Sequence, residues 1–212
     1  MRKRGLLTVI SGFSGAGKGT VVRKLMSEYD NYALSISMTT RAPREGEEDG
    51  VHYFFVTREE FEKNISDNKM LEYAEYVGNY YGTPREYVEK QLDAGRDVIL
   101  EIEYLGAMKV KEQMSDALLL FITPPCADEL EVRLRGRGTE DEATIQKRMR
   151  RAVEEADIVN KYEYLLINDD VDVCVREAHE IIQNAKYSVS RNAEFIETIK
   201  DELLQIKEEE NL

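Results

Sequence analysis

Residues 12–20 have the sequence Gly-Phe-Ser-Gly-Ala-Gly-Lys-Gly-Thr, and only Ser11 separates them from the apolar run Leu6–Ile10. Where a strand ends in a glycine-rich turn, backbone N–H groups can surround an anion, and the next helix directs its positive end at it. Lys18 is then within reach of the β and γ oxygens of a polyphosphate. Apolar residues recur after this turn on one helical face, at Val21, Val22, Leu25, Met26 and Tyr29. The stretch therefore predicts a strand, a loop for a phosphate donor and a helix. The predicted loop residues are Gly12, Phe13, Ser14, Gly15, Ala16, Gly17, Lys18, Gly19 and Thr20.

One position departs from the strict phosphate-loop pattern. That pattern has Ser or Thr directly after the lysine, whereas this chain has Gly19 there and Thr20 next. A glycine-rich turn without a ligand is the alternative, but strand, glycine spacing, lysine and amphipathic helix all coincide. We expect no side-chain metal ligand, so Mg²⁺ would be held mainly by phosphates and water.

Composition excludes several classes of protein. The chain has 212 residues, 42 acidic against 29 basic, and a net charge of −13. A nucleic-acid binder needs a basic face, so no nucleic-acid partner is expected. Cys126 and Cys174 have neither disulfide-scaffold nor zinc-site spacing, which indicates a reduced cytoplasm. Since no apolar stretch is long enough to span a bilayer, no membrane association is expected.

Apolar runs alternate with helical patterns along the chain, which is typical of an α/β fold whose parallel sheet has helices on both faces. The runs are Leu6–Ile10, Ala33–Ser37, Val98–Ile102, Leu118–Thr123 and Tyr164–Ile167. We assign 1–187 to one domain, with its core at 1–36, 84–125 and 158–187. Residues 37–83 break the rhythm and predict an inserted subdomain with one short helix around Phe61 and Ile65. Residues 126–157 predict a highly charged helical hairpin, which we expect to be mobile because it has little apolar content.

The C-terminal tail, 188–212, is predicted to be helical. Its apolar residues have heptad-like spacing, at Val189, Ile196, Ile199, Leu203 and Ile206. Over so few turns this pattern is weak evidence for a coiled coil. A helix packed on its own core and a dimer contact explain it equally well.

Candidate residues for a phosphoryl acceptor lie around Pro43. Arg41 and Arg44 flank this proline, and two guanidinium groups fixed in this way can converge on a phosphate. On these residues alone, a solvated surface turn is slightly favoured. Aromatic clusters follow near glycines, at 50–55 and 78–83, and tyrosine hydroxyls there could add donors, although strand packing explains most of them.

Three carboxylates are candidates for selecting a base. Glu72 precedes the second aromatic cluster, and Glu101 and Glu103 follow an apolar run, so that in an extended chain both face one side. Open α/β sheets bind ligands at the carboxyl ends of their strands. Guanine presents two adjacent N–H donors that match a carboxylate, whereas adenine lacks this pair, so a buried glutamate would favour guanine. Solvated surface charge is the alternative, strongest for Glu72.

Thr83, Pro84 and Glu86 have the pattern of a helix start. Thr is predicted as the N-cap, Pro as the first helical residue and Glu as the partner in a capping box. The hydroxyl of Thr83 could also donate its proton to a base oxygen.

Taken together, these pieces resemble the guanylate kinase family. The first matching motif is the phosphate loop, whose Lys-Gly-Thr ending occurs among nucleoside monophosphate kinases. The others are Ser-x-Thr-Thr-Arg-x-Pro-Arg, Gly-x-x-Tyr-x-Phe, Gly-Asn-Tyr-Tyr-Gly-Thr, the run 135–140, Arg148 and the run 168–170. They follow the family's order from about residue 5 to 185. The resemblance implies a P-loop kinase with a parallel β-sheet core, a GMP-binding region at 37–83 and a mobile helical lid at 126–157.

The resemblance also implies roles for single residues. Guanine would be held by Ser37, Glu72, Thr83 and Glu103, with Glu101 beside them, and the GMP phosphate by Arg41, Arg44, Tyr53 and Tyr81. Three arginines would close over the ATP phosphates: Arg133, Arg137 and Arg148. Asn168 would lie near adenine. The catalytic set would be Lys18, Arg41, Arg137 and Arg148. Three positions depart from the family's usual residues: Phe13 replaces a small residue or proline, Leu105 a glutamine, and Tyr73 a tryptophan.

The predicted activity is Mg²⁺-dependent transfer of the γ-phosphoryl group of ATP to GMP, giving ADP and GDP. Use of dGMP is left open. One alternative is a kinase for another monophosphate, such as AMP or dTMP. The other is a binding module of the guanylate-kinase-like type found in scaffold proteins. Those modules have typically lost a working phosphate loop, whereas Lys18 and its glycines are intact here.

Overall fold

The computed structural model describes residues 4–136 and 141–209 of the chain. Its helices are α1 Lys18–Glu28, α2 Arg58–Ser66, α3 Arg85–Asp93, α4 Tyr104–Gln113, α5 Ala127–Gly136, α6 Glu142–Ala156, α7 Val171–Ala185 and α8 Ala193–Glu209. Its strands are β1 Leu7–Gly12, β2 Tyr32–Leu34, β3 Met38–Thr39, β4 Phe54–Phe55, β5 Met70–Tyr76, β6 Asn79–Pro84, β7 Asp97–Glu101, β8 Leu118–Thr123 and β9 Tyr164–Ile167. No helix in these ranges combines the length and apolar character needed to cross a bilayer.

The main sheet contains five parallel strands in the order β2-β7-β1-β8-β9. In the centre, Val9 of β1 lies opposite Leu100 of β7 and Leu119 of β8. Each of the five apolar runs in the sequence corresponds to one of these strands. The predicted α/β fold, with a parallel sheet flanked by helices, is confirmed.

Helices cover both faces of this sheet. On one face α1 and α7 bury Leu25, Cys174 and Ile182, and on the other α3 and α4 bury Leu92 and Val110. Alternate side chains of the central strands point to opposite faces, so both layers have continuous apolar cores. This packing fixes the end of β1, from which the glycine-rich loop leaves the sheet.

Residues 37–84 form a second, smaller sheet in the order β4-β3-β6-β5. Its largest unit is the antiparallel β5–β6 hairpin, which turns at Val77 and Gly78 with positive φ angles of 49° and 74°. The short helix predicted around Phe61 is α2, and the buried Phe61 ring stacks on Tyr80 at 5.1 Å between centroids. The division into core, inserted region, lid and tail remains a prediction.

The start of α3 differs from the prediction. Thr83 is not the N-cap: Thr83 and Pro84 end β6, Pro84 caps α3 without a side-chain hydrogen bond, and the helix begins at Arg85. The Thr83 hydroxyl instead donates to the Glu72 carboxylate across the β5–β6 pair. A buried carboxylate requires a hydrogen-bond donor, and the pairing of β5 with β6 places the Thr83 hydroxyl beside Glu72. The hydroxyl therefore bonds to Glu72 and does not cap the helix.

The charged segment at 126–157 forms the helix pair α5 and α6. Despite its charge, the pair has a small apolar cluster of Leu130, Leu134, Ile145 and Ala152, on which the Phe13 ring packs. Its predicted mobility remains a prediction.

The tail helix α8 stands apart from the other apolar clusters. Phe195, Leu203 and Leu204 are each more than half exposed, and none of the side chains described along this helix is buried. Of the two explanations for its heptad-like spacing, packing on the core of the same chain is not observed in residues 193–207.

Candidate active site

The glycine-rich loop lies between β1 and α1, as the sequence predicted. Gly17 has φ +90°, a left-handed conformation that favours glycine, and α1 begins at the next residue. The Nζ atom of Lys18 donates to the carbonyl oxygens of Gly12 at 2.6 Å and Phe13 at 3.1 Å. The lysine ammonium and the N-terminus of α1 therefore meet at one place, which is suited to a polyphosphate.

The side chain of Asn168 holds this loop in place through a hydrogen bond to its backbone. It is 6% exposed, and its Nδ2 atom donates to the Ala16 carbonyl oxygen at 2.8 Å. A Cβ atom on Gly17 would lie 2.4 Å from the same Nδ2 atom. Close approach as well as backbone conformation therefore requires glycine at position 17. The sequence prediction placed Asn168 near adenine, and the structure places its amide against the loop backbone.

The apolar side of the loop contacts the helix pair. The Phe13 ring packs edge-on against Phe121, with centroids 5.0 Å apart, and against the α5–α6 cluster. Gly15 lies close to Leu134, since a Cβ atom there would be 2.9 Å from Cδ2 of this leucine. The aromatic residue in the loop therefore connects the main sheet to the helix pair.

Two of the three arginines predicted for the ATP phosphates reach the loop. Arg148 donates from Nη1 to the Ser14 hydroxyl. Arg133 pairs with Glu129 at 2.7 Å, and its Nη1 atom lies 3.5 Å from the Ala16 carbonyl oxygen. Arg137, the third, lies outside the described residues.

A cleft of about 560 Å³ lies beside the loop. Lys18, Arg148, Glu101 and Glu103 all line it. Glu101 is the last residue of β7 and Glu103 lies two residues beyond it, at the end of the strand as predicted, but both are exposed. Glu103 pairs with Arg151 of α6 at 2.6 Å, so the helix pair is tied to the end of the sheet.

Glu72 is the buried carboxylate of the acceptor region. Its Oε1 atom accepts a hydrogen bond from the Thr83 hydroxyl at 2.7 Å, and the residue is 9% exposed. Burial raises the pKa of this carboxyl, and the bond from Thr83 partly offsets the rise. Solvated surface charge, the alternative explanation for Glu72, does not fit this environment.

The predicted phosphate-binding residues of the acceptor form a second group. Arg41 lies 5.4 Å from the ring centroid of Tyr53, and the rings of Tyr53 and Tyr81 are 6.2 Å apart. Both terminal nitrogens of Arg41 bond to Glu47. The side chain of Arg44 is exposed, and Ser37 accepts from the Phe54 N–H through its carbonyl oxygen. Of the predicted acceptor residues, only Glu101 and Glu103 line the 560 Å³ cleft.

Sequence reasoning missed several residues of this site. Glu47 belongs to an acidic run at 45–49 that has the appearance of solvated charge, and no local signal distinguishes it. Arg151 and Glu155 also line the cleft, and Arg151 donates to both Glu103 and Glu155. Their helical i, i+4 spacing was visible in the sequence, but their contact with the end of β7 was not.

These features define a phosphate-loop protein of the nucleotide-kinase class. A parallel strand leads into a glycine-rich loop, the loop contains a lysine, and arginines of a helix pair contact the loop. Comparison with known proteins specifies the family. The family model described as Guanylate kinase matches residues 4–185. A guanylate kinase from Latilactobacillus sakei is 49% identical over 192 residues, which make up 90% of this chain and 95% of that relative.

A second relative, the guanylate kinase of Streptococcus pyogenes, is 52% identical over 192 residues, covering 90% of this chain and 91% of the relative. The crystal structure of guanylate kinase from Anaplasma phagocytophilum has a TM-score of 0.68 and 32% identity, covering 90% of each chain. The chain therefore belongs to the guanylate kinase family.

Proposed function

We propose that the loop and the helix pair hold ATP while the smaller sheet holds GMP, so that the two phosphate groups meet over the cleft. The reaction is the ATP-dependent phosphorylation of GMP to GDP. The observation that carries this assignment of regions is that Lys18 and Arg148 of the proposed donor side line the same cleft as Glu101 and Glu103 of the proposed base site.

The chemistry requires alignment more than proton transfer. A nucleoside monophosphate is already largely ionised near neutral pH, so its phosphate oxygen can attack the γ-phosphorus without a general base. The protein then has to hold attacking and leaving oxygens in line and to neutralise charge on the transferred group.

Residues of the donor side supply the positive charge. Lys18 would leave its carbonyl partners to bridge the β- and γ-phosphates, and the α1 N-terminus would add its dipole. Arg148 contacts the Ser14 hydroxyl within the loop and is thus positioned to meet phosphate oxygens. Arg133 and Arg137 would act with it, while Asn168 keeps the loop in shape.

On the acceptor side, guanine would lie against Glu72. An ionised carboxylate can accept from N1–H and the exocyclic amino group together, and adenine offers no such pair. The Thr83 hydroxyl already touches this carboxylate, so Thr83 and Glu72 would bind the base as a unit. Ser37 and the exposed carboxylates of Glu101 and Glu103 would complete the base site.

The GMP phosphate would lie among Arg41, Arg44, Tyr53 and Tyr81. The two rings and the guanidinium of Arg41 are already grouped. Arg41 would also orient the phosphate for attack, which is why it belongs to the proposed catalytic set.

Mg²⁺ is the metal we propose to accompany ATP, held mainly by phosphates and water. Gly19 has no hydroxyl, and the Thr20 hydroxyl is exposed and accepts from Arg23 at 3.4 Å. Across 4–136 and 141–209, no three acidic, His or Cys side chains are grouped as metal ligands. Glu101, whose carboxylate oxygens lie 3.8 Å from the position of a Cβ on Gly19, would hold the ion's water shell. When bound, the ion neutralises charge on the β and γ oxygens.

Two further proposals concern the setting of the protein. Cys126 and Cys174 are both free thiols, which is consistent with a reducing cytoplasm. The exposed apolar residues of α8 are consistent with self-association, although dimerisation remains a proposal.

The test is an ADP-release assay with GMP, AMP, dTMP and CMP as acceptors, each with Mg·ATP. We expect efficient turnover with GMP alone, since only guanine matches a buried, ionised Glu72. Equal turnover with AMP would overturn the base-site assignment. The Lys18→Met protein is the control for turnover by contaminating kinases.

A further inference from the structure

The Glu47 carboxylate contacts both predicted arginines of the acceptor phosphate site. Its Oε1 atom lies 2.9 Å from Nη2 of Arg41, and its Oε2 atom lies 2.9 Å from Nη1. Oε2 also accepts from the backbone N–H of Arg44 at 2.7 Å. One side chain therefore sets the orientation of the first guanidinium and the path of the backbone at the second arginine.

The pairing uses only one edge of the Arg41 guanidinium. Glu47 occupies the terminal edge, formed by Nη1 and Nη2, and the second proton of Nη1 goes to the Ala42 carbonyl oxygen at 2.7 Å. The lateral edge, formed by Nε and the outer proton of Nη2, takes no part in the bonds to Glu47 and Ala42. The Tyr81 hydroxyl, another predicted ligand of the phosphate, also forms a hydrogen bond with the Arg41 side chain. Its two parallel N–H groups have the spacing that a phosphate matches.

The environment of the pair favours a fixed geometry. The Arg41 and Glu47 side chains are only 15% and 19% exposed, and the rings of Tyr53 and Phe55 lie 5.4 and 5.9 Å from the guanidinium. Hydrogen bonds from Arg41, and then from the Arg44 backbone, lower the pKa of Glu47 to about 2. The carboxylate therefore remains charged at every pH at which the protein would be assayed.

We propose that Glu47 is a positioning residue for the acceptor phosphate. It holds the terminal edge of Arg41 so that the lateral edge, rather than the terminal one, meets two phosphate oxygens. This inference rests on the proposed function, because it assumes that Arg41 binds the phosphate of GMP. The opposite role is a cover, in which Glu47 neutralises Arg41 until GMP displaces it. The two roles predict opposite changes in affinity when the carboxylate loses its charge.

The test compares Glu47→Gln with Glu48→Gln. Glu48 is exposed in the same turn, so its variant removes the same charge near the phosphate without changing the partners of Arg41. The amide of Glu47→Gln turns an NH₂ group toward a donor, so Arg41 loses its bidentate partner. Calorimetry with GMP and with guanosine separates phosphate binding from base binding, and a thermal melt reports on folding.

For Glu47→Gln we expect GMP affinity to fall about tenfold, as the loss of one charge-assisted hydrogen bond does, with guanosine affinity unchanged. Glu48→Gln should leave both affinities within about twofold. Tighter GMP binding would overturn the proposal in favour of a cover. Unchanged GMP binding, or equal losses for GMP and guanosine, would overturn it in favour of a role in the turn alone. Glu47→Asp, which keeps the charge but cannot span the same donors, should weaken GMP binding in the same direction. If the wild-type protein bound guanosine as tightly as GMP, the proposed phosphate site itself would fail.

Discussion

The proposed donor and acceptor regions would bind their nucleotides with different kinds of groups. The donor loop would use backbone groups and one lysine from a single continuous stretch, which is anchored on the central strand β1 and on buried Asn168. The proposed acceptor region would use Ser37 before β3, the turn at 41–50, Tyr53 before β4 and side chains of β5 and β6. Phosphate oxygens are alike in all nucleotides, so a backbone cradle is sufficient for them, whereas a choice between bases requires side chains at defined positions.

Two carboxylates proposed for the base site, Glu72 and Glu103, have different environments. Glu72 is buried and bonded to Thr83, whereas the Glu103 side chain is 75% exposed and paired with Arg151. A buried carboxylate that loses its partners cannot turn to water, and an exposed one can. We therefore expect base selection to depend mainly on Glu72.

The largest expected effect tests the donor region alone. Arg148→Ala should lower kcat about 10²- to 10³-fold, because it removes positive charge from the developing transition state. Binding of GMP should be unchanged, as measured by calorimetry. Arg150→Ala is the matched control, since Arg150 is exposed on the same helix. A kcat close to that of the wild type would remove Arg148 from the catalytic set.

The next effect tests the acceptor region alone. Glu72→Gln should lower kcat/KM for GMP about 10- to 100-fold, because the amide offers only one acceptor to two guanine donors. Affinity for Mg·ATP should not change. Glu86→Gln makes the same substitution at an exposed position and should have little effect. An equal loss of ATP affinity in Glu72→Gln would mean that the two regions are not separable.

The same variant also has an expected effect on stability. Because burial raises the pKa of Glu72, the folded protein binds this proton more tightly than the unfolded chain does. Ionisation therefore lowers stability as pH rises through the folded pKa, and the loss is absent below the ordinary value of 4.5. Glu72→Gln should melt at a higher temperature than the wild type at neutral pH, and the difference should disappear in acid. A lower melting temperature of the variant at neutral pH would contradict the interpretation that the buried, ionised Glu72 destabilises the folded protein.

The smallest effect concerns the connection between the main sheet and the helix pair. Phe13→Ala should lower the free energy of unfolding by about 2 kcal/mol, since a partly buried ring leaves both Phe121 and the α5–α6 cluster. It should also raise KM for ATP more than KM for GMP. Val132→Ala, at a position 61% exposed on α5, is the control for a change that removes no packing. Equal stability of the two variants would show that Phe13 does not anchor the pair.

Much of this molecule could be predicted from local sequence. The five strands of the main sheet, α1, α2 and the phosphate loop follow from periodicity and glycine spacing within single segments. The error at Thr83 has a nonlocal cause, because the hydroxyl that suits a helix cap is used by a carboxylate eleven positions away in the chain. Glu47 and Arg151 were missed for the same reason: their partners are fixed by tertiary contacts, and as isolated charges they are indistinguishable from solvated ones.

The ion pair between Arg151 and Glu103 has a consequence for the order of events. Arg151 lies three residues beyond Arg148 on α6, and Glu103 lies where we propose that guanine binds. A base that engaged Glu103 would compete with Arg151 for this carboxylate, whose Oε2 atom accepts from Arg151, and would release one contact of α6. If both assignments hold, the arrival of GMP would change the contacts of the helix that carries Arg148. Hydrolysis of ATP in the absence of GMP would then be disfavoured.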